Sequence, residues 1–322
     1  MKRESVLKIV RLAVSAGLIF YLFKRMDLGE VGSHLRGARI SFLGLASLMI
    51  LLMVIANSIR WMVVLKPKGL DLPLPRLFYF YLVGIFFSSF LPTSIGGDFV
   101  RIVGIAHQTG RKSDALASVV IERVLGLVAL LPIAALSLPF ILTEVREWKV
   151  IGISGGGVVL IIAGFVLLLQ RPVASKIFAL FDPLFNHFER IRLRQRLERF
   201  YEAVVAYSEH KAEVFTAGLL SLLARFLWVL ACMFVAISID LRVAFAVFLL
   251  VVPVVEMVRM IPISLSGIGL REAAFVVLLR QFGVEDSLSF TMAILLYLLF
   301  FGFGLAGGIL YGTKQLFERG RV

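Results

Sequence analysis

Charged residues divide this chain into apolar runs of bilayer-spanning length. Uncharged runs occupy 40–59, 77–97, 124–143, 150–170 and 287–313, and 214–239 is interrupted only by Arg225. A hydrocarbon core of about 30 Å needs roughly 20 apolar residues per helix, so these runs predict membrane helices. A further apolar stretch, 12–23, follows the charged start Met1-Lys-Arg-Glu-Ser. That order resembles a signal peptide, but no small-x-small cleavage site precedes Lys24, so it is expected to remain as a first span.

Two runs end in helix-breaking sequence. Residues 77–91 lead into Pro92-Thr-Ser94-Ile-Gly96-Gly97-Asp98, and residues 243–261 lead into Pro262-Ile-Ser264-Leu-Ser-Gly267-Ile-Gly269. Proline and clustered glycine interrupt helices. At membrane depth, broken backbone is tolerated only where protein buries it or it lines a wet cavity. The two breaks align without gaps on the pattern P-x-S-[IL]-x-G-x-x-x-R, which ends at Arg101 in the first and Arg271 in the second. An arginine also sits in the run before each break, as Arg60-Trp61 and Arg225-Phe226.

Orientation follows from the basic residues. If each break closes a hairpin that returns to its own side, the segments on the side of both termini carry 20 Lys and Arg against 7 opposite. Basic loops stay cytoplasmic. The expected fold is therefore all-α and polytopic, with six full spans and two re-entrant hairpins of opposite orientation, both termini being cytoplasmic. Within a single membrane domain, 1–322, the first repeat covers 41–142 and the second 212–311. Residues 172–211 form a cytoplasmic connector. Its stretch 188–201 alternates basic residues with Ile191, Leu193, Leu197 and Phe200, a pattern for an amphipathic helix on the inner leaflet.

Composition sharpens this reading. Hydrophobic residues make up 60% of the chain and charged residues 17%, against about 25% charged in soluble proteins. That excludes a soluble enzyme, a disordered chain and a disulfide scaffold. The net charge of +13 is spread over short loops, which suits anionic lipid and not nucleic acid. Cys232 is the lone cysteine and the four histidines are scattered, so neither a disulfide nor a metal centre is expected, and no cofactor. No Walker A, H-E-x-x-H or G-x-S-x-G motif occurs. The chain reads as a transporter, and an intramembrane transferase with Asp98 or Glu122 as base is the remaining enzymatic reading.

The candidate chemistry is charge inside the membrane, where each ionisable group costs about 2.5–3.5 kcal/mol to insert. Arg60, Asp98, Arg101, Glu122, Arg123, Arg225, Glu256, Arg259, Arg271 and Glu272 all fall there. Asp98/Arg101 and Glu256/Arg259 have i, i+3 spacing and can pair on one helix face. Six arginines against four acids leave positive charge uncompensated, which suits a phosphate gripped by guanidinium groups. Arg101, Arg123 and Arg271 are expected to hold it, and Arg60 or Arg225 to guide it in. The four acids would pair with these arginines in the empty site or bind a cationic headgroup. Ser94, Gly96, Gly97, Ser264, Gly267 and Gly269 complete the site at the breaks, where free N–H groups at the half-helix starts would face an anion. Two similar units of opposite orientation mark alternating-access transporters.

The stretch 91–101, Leu-Pro-Thr-Ser-Ile-Gly-Gly-Asp-Phe-Val-Arg, with Glu122-Arg123 after it, resembles the flippase-like family typified by the membrane region of lysylphosphatidylglycerol synthases. The stretch 261–272, Ile-Pro-Ile-Ser-Leu-Ser-Gly-Ile-Gly-Leu-Arg-Glu, is similar to that family's second signature, and the resemblance covers nearly the whole chain. It implies an integral inner-membrane protein that moves lipids between leaflets. With Val322 ending the chain soon after the last span, the family's tRNA-dependent synthase domain and its aminoacylation are not expected here. The partners implied are membrane phospholipids with anionic or aminoacylated headgroups, and a second copy or a lipid-synthesis enzyme. Two other readings stay open: a small-solute or ion transporter built on the same repeat, and a membrane subunit of a lipid-modifying enzyme.

Overall fold

The computed structural model describes residues 28–90, 96–137, 206–260 and 267–319, together with positions 15, 17, 202 and 264. Among these residues the chain is helical, with no strand. The helices are α1 (Leu28–Gly37), α2 (Ile40–Leu65), α3 (Leu74–Phe90), α4 (Gly96–Thr109), α5 (Lys112–Val128), α6 (Leu130–Ala135), α7 (Lys211–Ser238), α8 (Phe245–Met260), α9 (Leu270–Arg280) and α10 (Asp286–Arg319). Short 3-10 turns at Lys66–Lys68 and Ala206–Glu209 join them.

Four helical stretches are long and apolar enough to cross a membrane: Ile40–Lys68, Lys112–Ala135, Lys211–Ser238 and Asp286–Thr313. They carry the runs at 40–59, 214–239 and 287–313, and the part 124–135 of the run at 124–143. The span expected at 12–23, apart from positions 15 and 17, the span at 150–170 and the amphipathic helix at 188–201 lie outside the described residues. One boundary differs from expectation. The third stretch starts at Lys112, twelve residues before the uncharged run at 124–143. Glu122 and Arg123 look like a span edge in the sequence, but neighbouring helices supply their partners and the helix continues through them.

The burial pattern differs from that of a soluble bundle on its outer face and in its buried charges. Large apolar side chains face outward at helical spacing, such as Leu45, Leu48 and Leu52 on α2 and Phe215, Leu219 and Leu223 on α7. Arg60, Arg101, Glu122, Glu256, Arg271 and Glu272 are buried. Apolar patches of this extent on a soluble protein would aggregate. Against lipid tails they are the natural exterior, and charged groups belong inside the bundle.

The two arginine-bearing helices that precede the breaks, α2 and α7, form the most extensive helix pair among the described residues. They run antiparallel. The backbone N–H of Arg39, just before α2, donates to Ser238 O at the end of α7. In the middle, Arg60 Nη1 donates to Ser221 Oγ at 3.1 Å. At the far end, Tyr207 Oη donates to Val64 O at 2.8 Å. Between them Ile50, Val54, Ala231, Cys232 and Val235 join one apolar core with residues of α8 and α10.

The first break closes an antiparallel hairpin of α3 and α4. A Cβ on Gly97 would strike Gly84 O and Ser88 Oγ, and one on Gly104 would strike the Phe80 ring. Glycine is therefore required where the two backbones touch. At the second break α8 and α9 pack on each other. The link turns through Gly267 (φ 81°) and Gly269 (φ 83°), a left-handed conformation suited to glycine. A Cβ on Gly267 would meet the Arg259 side chain. Gly97 and Gly267, aligned in the repeat, thus each pack against the end of the preceding arm. On α10, Gly304 and Gly308 pack against Phe86, while Gly312 of the same spacing touches nothing within 4 Å. Gly307, outside that spacing, makes the tightest approach, against Leu82 O.

Candidate functional site

Both hairpins bring their charged residues to two adjoining cavities of about 170 and 200 Å3. Either volume holds several water molecules, since one water needs only about 10–15 Å3 on this measure. Arg60 from α2, Glu122 from α5, Arg225 from α7 and Glu256 from α8 line the first cavity only. Arg271 from α9 lines the second only, with Gly97 and Ser88. Asp98 and Arg101 of α4, Arg123 of α5 and Arg259 of α8 line both. The site is therefore assembled from helices that flank both breaks.

Glu122 is the most deeply placed carboxylate. Its Oε1 accepts from Arg60 Nη2 at 2.7 Å and from Arg60 Nε at 3.3 Å, and its Oε2 accepts from Arg101. One carboxylate thus ties the central pair to the first hairpin. The Arg101 guanidinium lies over two aromatic rings, 4.0 Å from the Trp61 ring centre and 4.3 Å from that of Tyr81. Such stacking supplies attraction to the cation that water would otherwise give. Trp61 is held in turn by Nε1 donating to Ser118 Oγ at 3.2 Å. The Nε of Arg101 is buried and has no hydrogen-bond partner among the described residues.

Asp98, in the first turn of α4, pairs with Arg123 and also with Arg101 at 3.4 Å. In the second repeat, Glu256 pairs with Arg225 at 3.3 Å and with Arg259 at 3.4 Å. Arg225 Nε also donates to Gly126 O of α5 at 3.1 Å, a link between repeats. Arg271 pairs with its neighbour Glu272 and lies 5.2 Å from the Tyr297 ring centre. Both i, i+3 pairs of the sequence are thus formed, and each of the four acids is bonded to at least one arginine.

The half-helix starts differ from expectation. Gly97 N–H donates to Ser88 Oγ at 3.1 Å, and Gly269 N–H donates to Glu272 Oε2 at 2.7 Å. These donors are taken up by the chain itself, because a buried N–H cannot go unpaired cheaply. The cavities are instead lined by six arginines: Arg60, Arg101, Arg123, Arg225, Arg259 and Arg271. Gly96, Gly267, Gly269 and Glu272 stand behind the lining, and Ser94 lies outside the described residues. Ser264 Oγ is buried with no partner among the described residues.

Several contributors were not legible as site residues. Tyr81 lines both cavities but sits in the aromatic run 78–81, where nothing distinguishes it from lipid-facing bulk. Phe300 and Tyr297 are hidden in the same way on α10. Ser221 did carry a signal: it is a polar residue one turn before Arg225, much as Asn57 precedes Arg60.

A model of the lysylphosphatidylglycerol synthase transmembrane region matches residues 8–308. A UPF0104 membrane protein of Pyrococcus horikoshii is 25% identical over 291 residues, covering 85% of this chain and 87% of its own length. With nearly all of its length matched, the chain belongs to the lysylphosphatidylglycerol synthase transmembrane-region family, and it is a multi-pass membrane protein.

Proposed function

We propose that this protein moves a phosphate-bearing lipid between the leaflets of the cell membrane, with the phosphate held in the arginine-lined cavities and the acyl tails left in the bilayer. The observation that carries this reading is the convergence of six arginines from both repeats on two adjoining cavities with only three carboxylates in the lining. Guanidinium groups bind phosphate oxygens through paired N–H bonds, and a cavity shared by two hairpins can change its accessible side as they rock. The proposed topology has six spans, both termini cytoplasmic, and one re-entrant hairpin from each side. The antiparallel pairing of α2 with α7 and the excess of basic residues on one side support it. The reading is of a transporter and not an enzyme, since every carboxylate of the cluster is already bonded to arginine.

The test is a leaflet-specific assay in proteoliposomes containing labelled phospholipid. The parent protein should speed transbilayer movement, and Arg101→Ala and Arg271→Ala should abolish the acceleration. Unchanged movement in both variants would overturn the reading. Uptake of a soluble ion without lipid movement would favour a solute transporter, and neither activity in the pure protein would favour a partner subunit.

A further inference from the structure

The two cavities are not electrically alike. In the part of the first cavity that the second does not share, Arg60 and Arg225 are matched by Glu122 and Glu256. The second cavity is lined by Arg101, Arg123, Arg259 and Arg271 with Asp98 as its one carboxylate. Counting Glu272, which pairs with Arg271, six arginines face four acids, so two positive charges stay unbalanced over the two adjoining cavities, with Glu122 and Glu256 also reaching Arg101 and Arg259. The side chains of Arg123 and Arg259 are 38% and 34% exposed and reach its open part. Arg101 Nε, buried and without a partner among the described residues, marks a donor still to be satisfied.

Unbalanced charge surrounded by membrane is costly. A ligand with two negative charges removes the imbalance. A phosphodiester, with one, leaves half of it. A zwitterionic headgroup leaves all of it, and a lysine-bearing headgroup of net positive charge adds to it. A terminal phosphoryl group also presents three strong acceptor oxygens, against two non-bridging oxygens in a diester.

Resting on the lipid-transport reading above, we propose that the cargo ends in a dianionic phosphoryl group, a phosphomonoester, seated against Arg101, Arg123, Arg259 and Arg271. On arrival it displaces Asp98 from Arg101 and Arg123. The paired groups of the first cavity then face the hydrogen-bonding remainder of the lipid.

The test compares ligands with one tail. Dodecyl phosphate, dodecyl methyl phosphate, dodecylphosphocholine and inorganic phosphate are titrated into the full-length protein in detergent, followed by tryptophan fluorescence (Trp228 lines the first cavity) and thermal stabilisation. At pH 8 dodecyl phosphate should bind about tenfold or more tighter than its methyl ester, given the extra unit charge. The advantage should shrink at pH 5, below the second phosphate ionisation near pH 6. The methyl ester passes the same protein groups and supplies the baseline. Arg259→Gln and Arg271→Gln should each remove most of the advantage, weakening dodecyl phosphate more than its methyl ester. The ligand comparison on the unaltered protein stands even if a variant misfolds.

Equal affinity of the two esters at pH 8, or preference for the zwitterion, would overturn the proposal. Inorganic phosphate binding as tightly as dodecyl phosphate would overturn the lipid as the source of the phosphoryl group. Transbilayer movement of phosphatidylglycerol without any monoester preference would sink this proposal and leave the transport reading standing. A monoester preference without transbilayer movement would support the phosphoryl seat and sink the transport reading.

Discussion

Glu122→Gln is the sharpest perturbation of this structure. Glu122 is 1% exposed and joins two buried arginines, one in the central helix pair and one in the first hairpin. The substitution keeps the size and shape of the side chain. It removes the negative charge that Arg60 and Arg101 share, leaving two guanidinium groups in a buried setting. Removing one member of a buried ion pair costs about 3–5 kcal/mol, mostly from the charge left behind. Total stability is only about 5–15 kcal/mol, so the loss is a large fraction. At roughly 2–4 °C per kcal/mol for larger chains, the melting temperature should fall by about 6 °C or more. The assay is thermal unfolding in detergent of Glu122→Gln, Arg101→Gln and the double variant. Because the single changes break the same contact, the double variant should lose less than their sum, with a coupling of about 0.5–3 kcal/mol. Additive losses, or a melting temperature for Glu122→Gln within 1 °C of the parent, would refute the claim that this carboxylate neutralises the buried arginines.

Other outcomes follow from the packing. Gly307→Ala should destabilise by about 1–3 kcal/mol, because its Cβ would enter the backbone of α3 at Leu82. Gly312→Ala should be neutral or gain up to about 1 kcal/mol of helix propensity, as nothing lies within 4 Å of its Cβ; paired melting curves decide, and equal effects would contradict the contact. Tyr207→Phe should cost about 1 kcal/mol by deleting the bond to Val64 O. Burial pushes the Tyr207 phenol up from its ordinary value near 10. The folded state therefore favours the protonated form, so this contribution is complete below about pH 10 and fades as pH climbs toward the raised value. Stability measured from pH 8 to 11 should show that alkaline loss in the parent and a shallower one in Tyr207→Phe.

How far the sequence reached depended on the kind of signal. Arg60, Asp98, Arg101, Glu122, Arg123, Arg225, Glu256, Arg259 and Arg271 were legible one by one, because a charge within an apolar run is conspicuous whatever it touches. The pairing of Asp98 with Arg101 and of Glu256 with Arg259 was legible too, as helical spacing brings i and i+3 together. Tyr81, Tyr297 and Phe300 were not, since an aromatic in an aromatic run looks the same facing a cavity or facing lipid. Gly307 against Gly312 shows the same limit: both are glycines of one apolar helix, but only the neighbouring helix decides which is touched. The early start of α5 at Lys112 was hidden because hydropathy counts Glu122 and Arg123 as polar, with no knowledge of the groups that neutralise them.

By itself the sequence determined the helical membrane class, the places where helices break, and the repeat that relates the breaks. Each is a local property, set by transfer free energy and by what proline and glycine do to backbone. Only the tertiary structure decided that Glu122 bridges two elements 62 and 21 residues away, that the chain's own side chains take the Gly97 and Gly269 N–H groups at the breaks, and that Asp98 is the one carboxylate lining the second cavity. Those depend on distances between segments remote along the chain, and electrostatic energy follows distance and surroundings, which no one-dimensional pattern contains.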